Sequence, residues 1–128
     1  MLIAVCALVV GCGVRNSKPS TAAGSVSCLR SHAFTRVTTN PGAVGFIAGF
    51  ADHGGIRAAS PSGNILTIAF TEGPDAVDST EEAFRSHAPK SLRPHMSDIM
   101  TASGNAVLVW TTTPDPDELD TAQRCLRP

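Results

Sequence analysis

Two stretches decide the fold: IRAASPSGNILTIAFTEGPDAVDSTEEAFRSH (residues 56–87) and DIMTASGNAVLVWTTTPDPDELDTAQRCL (residues 98–126). Each reads as strand, Ser-Gly-Asn turn, strand, threonine, Pro-Asp, helix. The first places strands at Ile56–Ser60 and Ile65–Thr71 around a Pro61-Ser62-Gly63-Asn64 turn, then a helix over Pro74–His87. The second places strands at Asp98–Ala102 and Ala106–Thr111 around Ser103-Gly104-Asn105, then a helix over Pro114–Leu126. Glycine and asparagine adopt the positive φ that tight hairpin turns need. Proline suits a first helical turn, and Thr113 precedes the second helix as a capping residue. Two such copies predict an α+β fold: a small antiparallel sheet built from two ββα units, with helices packed mainly on one face.

Side-chain parity sharpens the reading. Leu66, Ile68 and Phe70 share one strand face, with Thr67, Ala69 and Thr71 on the other. In the second unit Ala106, Leu108 and Trp110 alternate with Val107 and Val109, so both faces are apolar. That strand is central, or its second face is covered by the N-terminal segments or by a partner. Leu119, Ala122, Cys125 and Leu126 line one side of the last helix and turn Cys125 toward the core.

Upstream, Ser25–Phe34 reads as a short helix with Val26, Cys28, Leu29 and Ala33 near one face. Arg36–Thr39 is brief and β-prone. Asn40-Pro41 is a helix start, followed by an apolar helix over Ala43–Ala51 that Gly54-Gly55 stops. Glycines inside that segment each cost about 1 kcal/mol relative to alanine, so a loosened extended segment is the alternative.

The N-terminus carries a different signal. Leu2–Val10 is an uninterrupted apolar run, too short for a membrane-spanning helix and of the length of a secretory signal core. The tetrad Val9-Val10-Gly11-Cys12 resembles the lipobox of bacterial lipoproteins. The resemblance implies a signal peptide over residues 1–11, acylation of Cys12, export, and a lipid anchor in the cell membrane or outer envelope. No Lys or Arg precedes the run, a departure consistent with a start upstream of Met1. Residues 12–24, without hydrophobic periodicity, read as the lipidated cysteine and a flexible tether, leaving residues 25–128 as one α+β domain.

With Cys6 removed in the signal and Cys12 acylated, Cys28 and Cys125 remain. Export allows a disulfide between them; two separate buried thiols are the alternative. Neither is read as a zinc ligand, for want of a second cysteine or histidine at ligand spacing.

Ten Lys and Arg against eleven Asp and Glu, a net charge of −1, argue against nucleic acid as a partner. Six aromatics among 128 residues are about enough for one core. The acidic clusters Glu72–Glu82 and Asp115–Asp120 sit at helix starts, with Arg85, Arg124 and Arg127 near helix ends, as the helix dipole favours. No pair among His32, His53, His87 and His95 stands at i, i+4, and Asp52-His53-Gly54-Gly55 reads as a helix stop. These observations assign no catalytic residue, no metal and no cofactor.

One basic stretch stays outside this scheme: Arg85, Lys90, Leu92, Arg93, His95 and Met96, around two prolines, with Leu92 and Met96 exposed. It is a candidate contact loop for an envelope protein or an anionic surface. The expected function is a membrane-anchored binding or protein-interaction module. A small envelope hydrolase or metal-dependent enzyme with a site assembled from loops is the second class. A structural envelope protein that self-associates through the Val107/Val109 face is the third.

Overall fold

The β-prone segments pair as their parity requires. In the computed structural model, which describes residues 18–128, the strands are β1 (Thr35–Thr38), β2 (Gly55–Ala59), β3 (Ile65–Phe70), β4 (Met100–Ser103) and β5 (Ala106–Trp110). They form one antiparallel sheet of order β1-β2-β3-β5-β4. The signal residues and Cys12 lie outside the described residues.

Both Ser-Gly-Asn turns close hairpins, but glycine alone takes the positive φ: 88° at Gly63 and 59° at Gly104. The asparagines do something else. Asn64 donates its amide to Thr112 O (2.9 Å) and accepts from Thr112 N (3.2 Å), tying the first turn to the end of β5. Asn105 clamps Ser20 in the same reciprocal manner (2.8 and 2.9 Å).

The hairpins join through β3 and β5, with Leu66 opposite Trp110, Ile68 opposite Leu108 and Phe70 opposite Ala106. This places Ile56, Ala58, Leu66, Ile68, Phe70, Ala106, Leu108 and Trp110 on one face, none more than 2% exposed. The helices α1 (Ala22–Ser31) and α6 (Pro116–Arg124) cover that face. The opposite face, carrying Thr67, Ala69, Val107 and Val109, is covered by α2 (Pro41–Val44), α3 (Phe46–Gly49), α4 (Val77–His87) and α5 (Met96–Ile99).

Helices therefore pack on both faces, where the sequence pattern pointed mainly to one. Strand parity does not separate the two helices, since Phe70 and Trp110, the last inward residues, stand at the same distance from Pro74 and Pro114. What requires cover on both sides is β5 itself, whose second face carries Val107 and Val109; α4 and α5 bury that face while α1 and α6 bury the other.

Local boundaries follow capping chemistry. The first helix begins at Ala22 rather than Ser25, because the Thr21 side chain accepts from Gly24 N and Ala22 N donates to His53 O. Residues 20–24, read as tether, belong to the fold. It ends in a Schellman motif: Phe34 N donates to Leu29 O (3.1 Å) and Ala33 N to Arg30 O (3.3 Å), with Ala33 at φ 65°. The expected helix over 43–51 is two single turns, α2 and α3, divided at Gly45, whose φ of 92° breaks the helix. The strand expected from Asp98 begins at Met100, since Met96–Ile99 form α5. At α6 the cap is Asp115, which accepts from Asp117 N at 2.9 Å, rather than Thr113.

A disulfide joins Cys28 on α1 to Cys125 at the end of α6, with a Cα separation of 5.3 Å. It closes a segment 97 residues apart in sequence, and both cysteines are buried in the core.

Candidate functional site

The surface feature that stands apart from ordinary packing is apolar. Gly45 starts α3 in a direction that leaves Phe46 73% and Phe50 78% exposed, the largest exposed apolar side chains among the described residues. Their ring centroids are 5.0 Å apart at an interplanar angle of 51°. Burying such a ring is worth roughly 1.5–3 kcal/mol, which the fold forgoes at both positions.

Beside α3 runs a cleft of about 280 Å³ between α4, the loop after it and the β3–β5 face. Ile47, Phe84, Leu92 and Met96 form its walls, and Thr67 and Val109 its floor. Ile47, Thr67, Phe84 and His87 also line a smaller recess reaching Phe46, so the cleft and the aromatic pair are continuous. The floor is the Val107/Val109 face singled out for self-association. Val107 is fully buried and Val109 mostly so, beneath the protein's own α4 and α5.

The basic stretch proves to be one wall of this cleft. Met96, expected at the surface, is 4% exposed, because the α5 turn rolls it inward with Ile99. Leu92 is half-buried in the same wall. The cations are partly spoken for by the fold. Arg93 donates to Ala88 O (3.1 Å) and Ser86 O (3.4 Å), holding carbonyls at the end of α4. Arg85 pairs with Glu81 (3.6 Å) and Glu82 (3.9 Å) on its own helix. Lys90 and His95 remain exposed. The stretch is thus less a positive patch than a strap with an apolar inner side.

The acidic clusters serve helix ends as the dipole argument requires. Besides the Asp115 cap, Asp120 bonds Arg124 one turn on, holding that guanidinium's pKa above its ordinary value by the hydrogen bond first and charge second. At Asp52-His53-Gly54-Gly55, Gly54 takes φ 83° and His53 uses its backbone to bond Phe70 and Ala22, as a helix stop would.

His32 corrects the reading that no histidine stands at ligand spacing from Cys28. At i+4 from Cys28 it returns to the same side of α1, and its Nδ1 lies 3.7 Å from Cys28 Sγ and 3.8 Å from Cys125 Sγ. Among the described residues this is the one cluster of three metal-capable side chains. With the sulfurs bonded to each other, neither is a thiolate ligand. Nδ1 is also 2.9 Å from Cys28 O, a bond that fixes the ring over the disulfide. An open cavity of about 520 Å³ is bordered by Ser62, Asn64 and Thr112, and the amide of Asn64 and the backbone of Thr112 are already paired with one another.

No family model matches the chain, and no curated protein or solved structure does so either. Among the described residues no helix is long and apolar enough to cross a membrane.

Proposed function

We propose that this chain is an exported lipoprotein, anchored through Cys12, whose α+β domain is a non-catalytic binding module that takes an apolar side chain of a partner protein into the cleft beside α4. The observation that supports this most is the cleft itself, a preformed recess walled by the apolar side chains of Ile47, Phe84, Leu92 and Met96. Such a recess suits an interface in which a buried apolar anchor supplies much of the affinity. A volume of about 280 Å³ lies just below the range of drug-sized sites and suits a single side chain or short segment.

Photo-cross-linking in the native envelope tests the reading. A photoreactive residue replacing Leu92 on the cleft wall is expected to give a discrete adduct, and one replacing Ser62 at the cavity beside Asn64 is not. Equal labelling from both positions, or none from Leu92, contradicts the proposal. An adduct of twice the chain's own mass would point instead to self-association.

A further inference from the structure

We infer that Phe46 and Phe50 form a second membrane contact, seating one end of the domain on the bilayer that holds the lipid of Cys12; this rests on the anchored reading above. The two rings, 73% and 78% exposed and 5.0 Å apart, present one apolar surface rather than two scattered residues.

Their place relative to the path of the chain carries the argument. Ala22 N donates to His53 O at 3.0 Å, so the start of α1 is fastened three residues from Phe50. Ser20 is clamped by Asn105, whose amide also donates to Thr71 O at 2.8 Å. Thr71, Asp52 and Phe50 line one small cavity. Lys18, where the described chain begins, therefore lies at the same end of the domain as the aromatic pair. Six residue steps separate it from Cys12, and a fully extended chain of that length spans at most about 20 Å. An acyl group on Cys12 thus holds this end close to the bilayer, whatever path those residues take.

Charge decides what kind of bilayer fits. Lys18 is exposed here, but so are Asp52, Glu72 and Asp75. The acidic excess disfavours attraction to anionic headgroups, so the contact is apolar insertion into a zwitterionic surface. Aromatic side chains of a short helix entering the headgroup boundary act in this manner.

The test uses the full chain with its own anchor, reconstituted in phosphatidylcholine vesicles, with Phe46→Trp as reporter. Trp110, 2% exposed, supplies a constant background. Brominated phosphatidylcholine is expected to quench the added emission about two-fold or more, as for an interfacial aromatic, with Trp110 emission of the parent protein unchanged. Phosphatidylglycerol in the vesicles is expected to lessen the quenching. Phe50→Trp gives an independent second reading at an equally exposed position. A variant that floats with the vesicles but is not quenched overturns the inference and leaves the anchor standing. So does a concentration-dependent blue shift without vesicles, which would mean that a second copy covers the pair. Failure to float removes the anchored reading, and this inference with it.

Discussion

Asn105 holds Ser20 by two reciprocal hydrogen bonds, its Oδ1 accepting from Ser20 N at 2.8 Å and its Nδ2 donating to Ser20 O at 2.9 Å. The same Nδ2 donates to Thr71 O, and the side chain is buried at 5% exposure. This one amide joins the start of the described chain, the end of β3 and the β4–β5 turn. Asn105→Ala strands backbone groups of Ser20 and Thr71, and an expected loss of about 2–4 kcal/mol follows from three bonds with unsatisfied partners. Urea denaturation reads it; a loss below half a kcal/mol would mean that water replaces the clamp.

Gly55 opens β2 directly beneath α3, where a Cβ would sit 2.6 Å from Ala48 O and 2.7 Å from Ala48 Cβ. Backbone stands in the way, so α3 has to lift. Gly55→Ala is expected to destabilise by about 1–3 kcal/mol, the range for overpacking. Because α3 carries Phe46 and Phe50, the same variant should raise hydrogen-exchange rates across Phe46–Gly49 more than across β5. Uniform change through the chain would contradict the assignment.

The Cys28–Cys125 bond fastens the first described helix to the last. Cys28→Ser with Cys125→Ser is expected to cost about 2–5 kcal/mol, as removal of a native disulfide from a small domain does. The chain-entropy model, at a separation of 97 residues, places it toward the upper end. A midpoint within error of the parent's would show that packing of α1 and α6 suffices alone.

Arg93 and Lys90 separate two roles of the basic strap. Arg93→Glu removes both bonds to the end of α4 and sets a negative charge at its C-terminus, with an expected loss of about 1 kcal/mol. Lys90→Glu, at an exposed position without such bonds, should stay within about 0.5 kcal/mol of the parent. If Lys90→Glu weakens a cleft adduct at unchanged stability, the partner carries complementary negative charge.

The repeated strand-turn-strand-helix pattern was legible because period-2 alternation, Ser-Gly-Asn and Pro-Asp all agreed in both units. The antiparallel sheet and the core direction of Cys125 followed from it, whereas the strand order was not read from the sequence. The distribution of helices did not, since Phe70 to Pro74 and Trp110 to Pro114 are the same spacing and nothing local tells the side of α4 from that of α6. Asn64 and Asn105 were legible as turn residues but not as clamps, because their partners Thr112 and Ser20 are distant in sequence. Met96 looked exposed among polar neighbours, and only the α5 turn shows that it faces inward. The cleft is the part least open to sequence reasoning. Ile47, Phe84, Leu92 and Val109 come from four separate elements, and nothing local distinguishes a cleft wall from core. The exposed aromatic pair had a faint signal in Gly45, a helix breaker inside an apolar run.

Everything assigned to the cleft and the aromatic pair in a cellular setting depends on acylation of Cys12. Intact-mass measurement of the protein extracted from its own membranes tests this directly. The account requires a polypeptide beginning at residue 12 and carrying the added mass of a lipid, with Cys12→Ala shifting the protein out of the membrane fraction. A chain that retains residues 1–11, or one that begins at residue 12 without lipid, would contradict it.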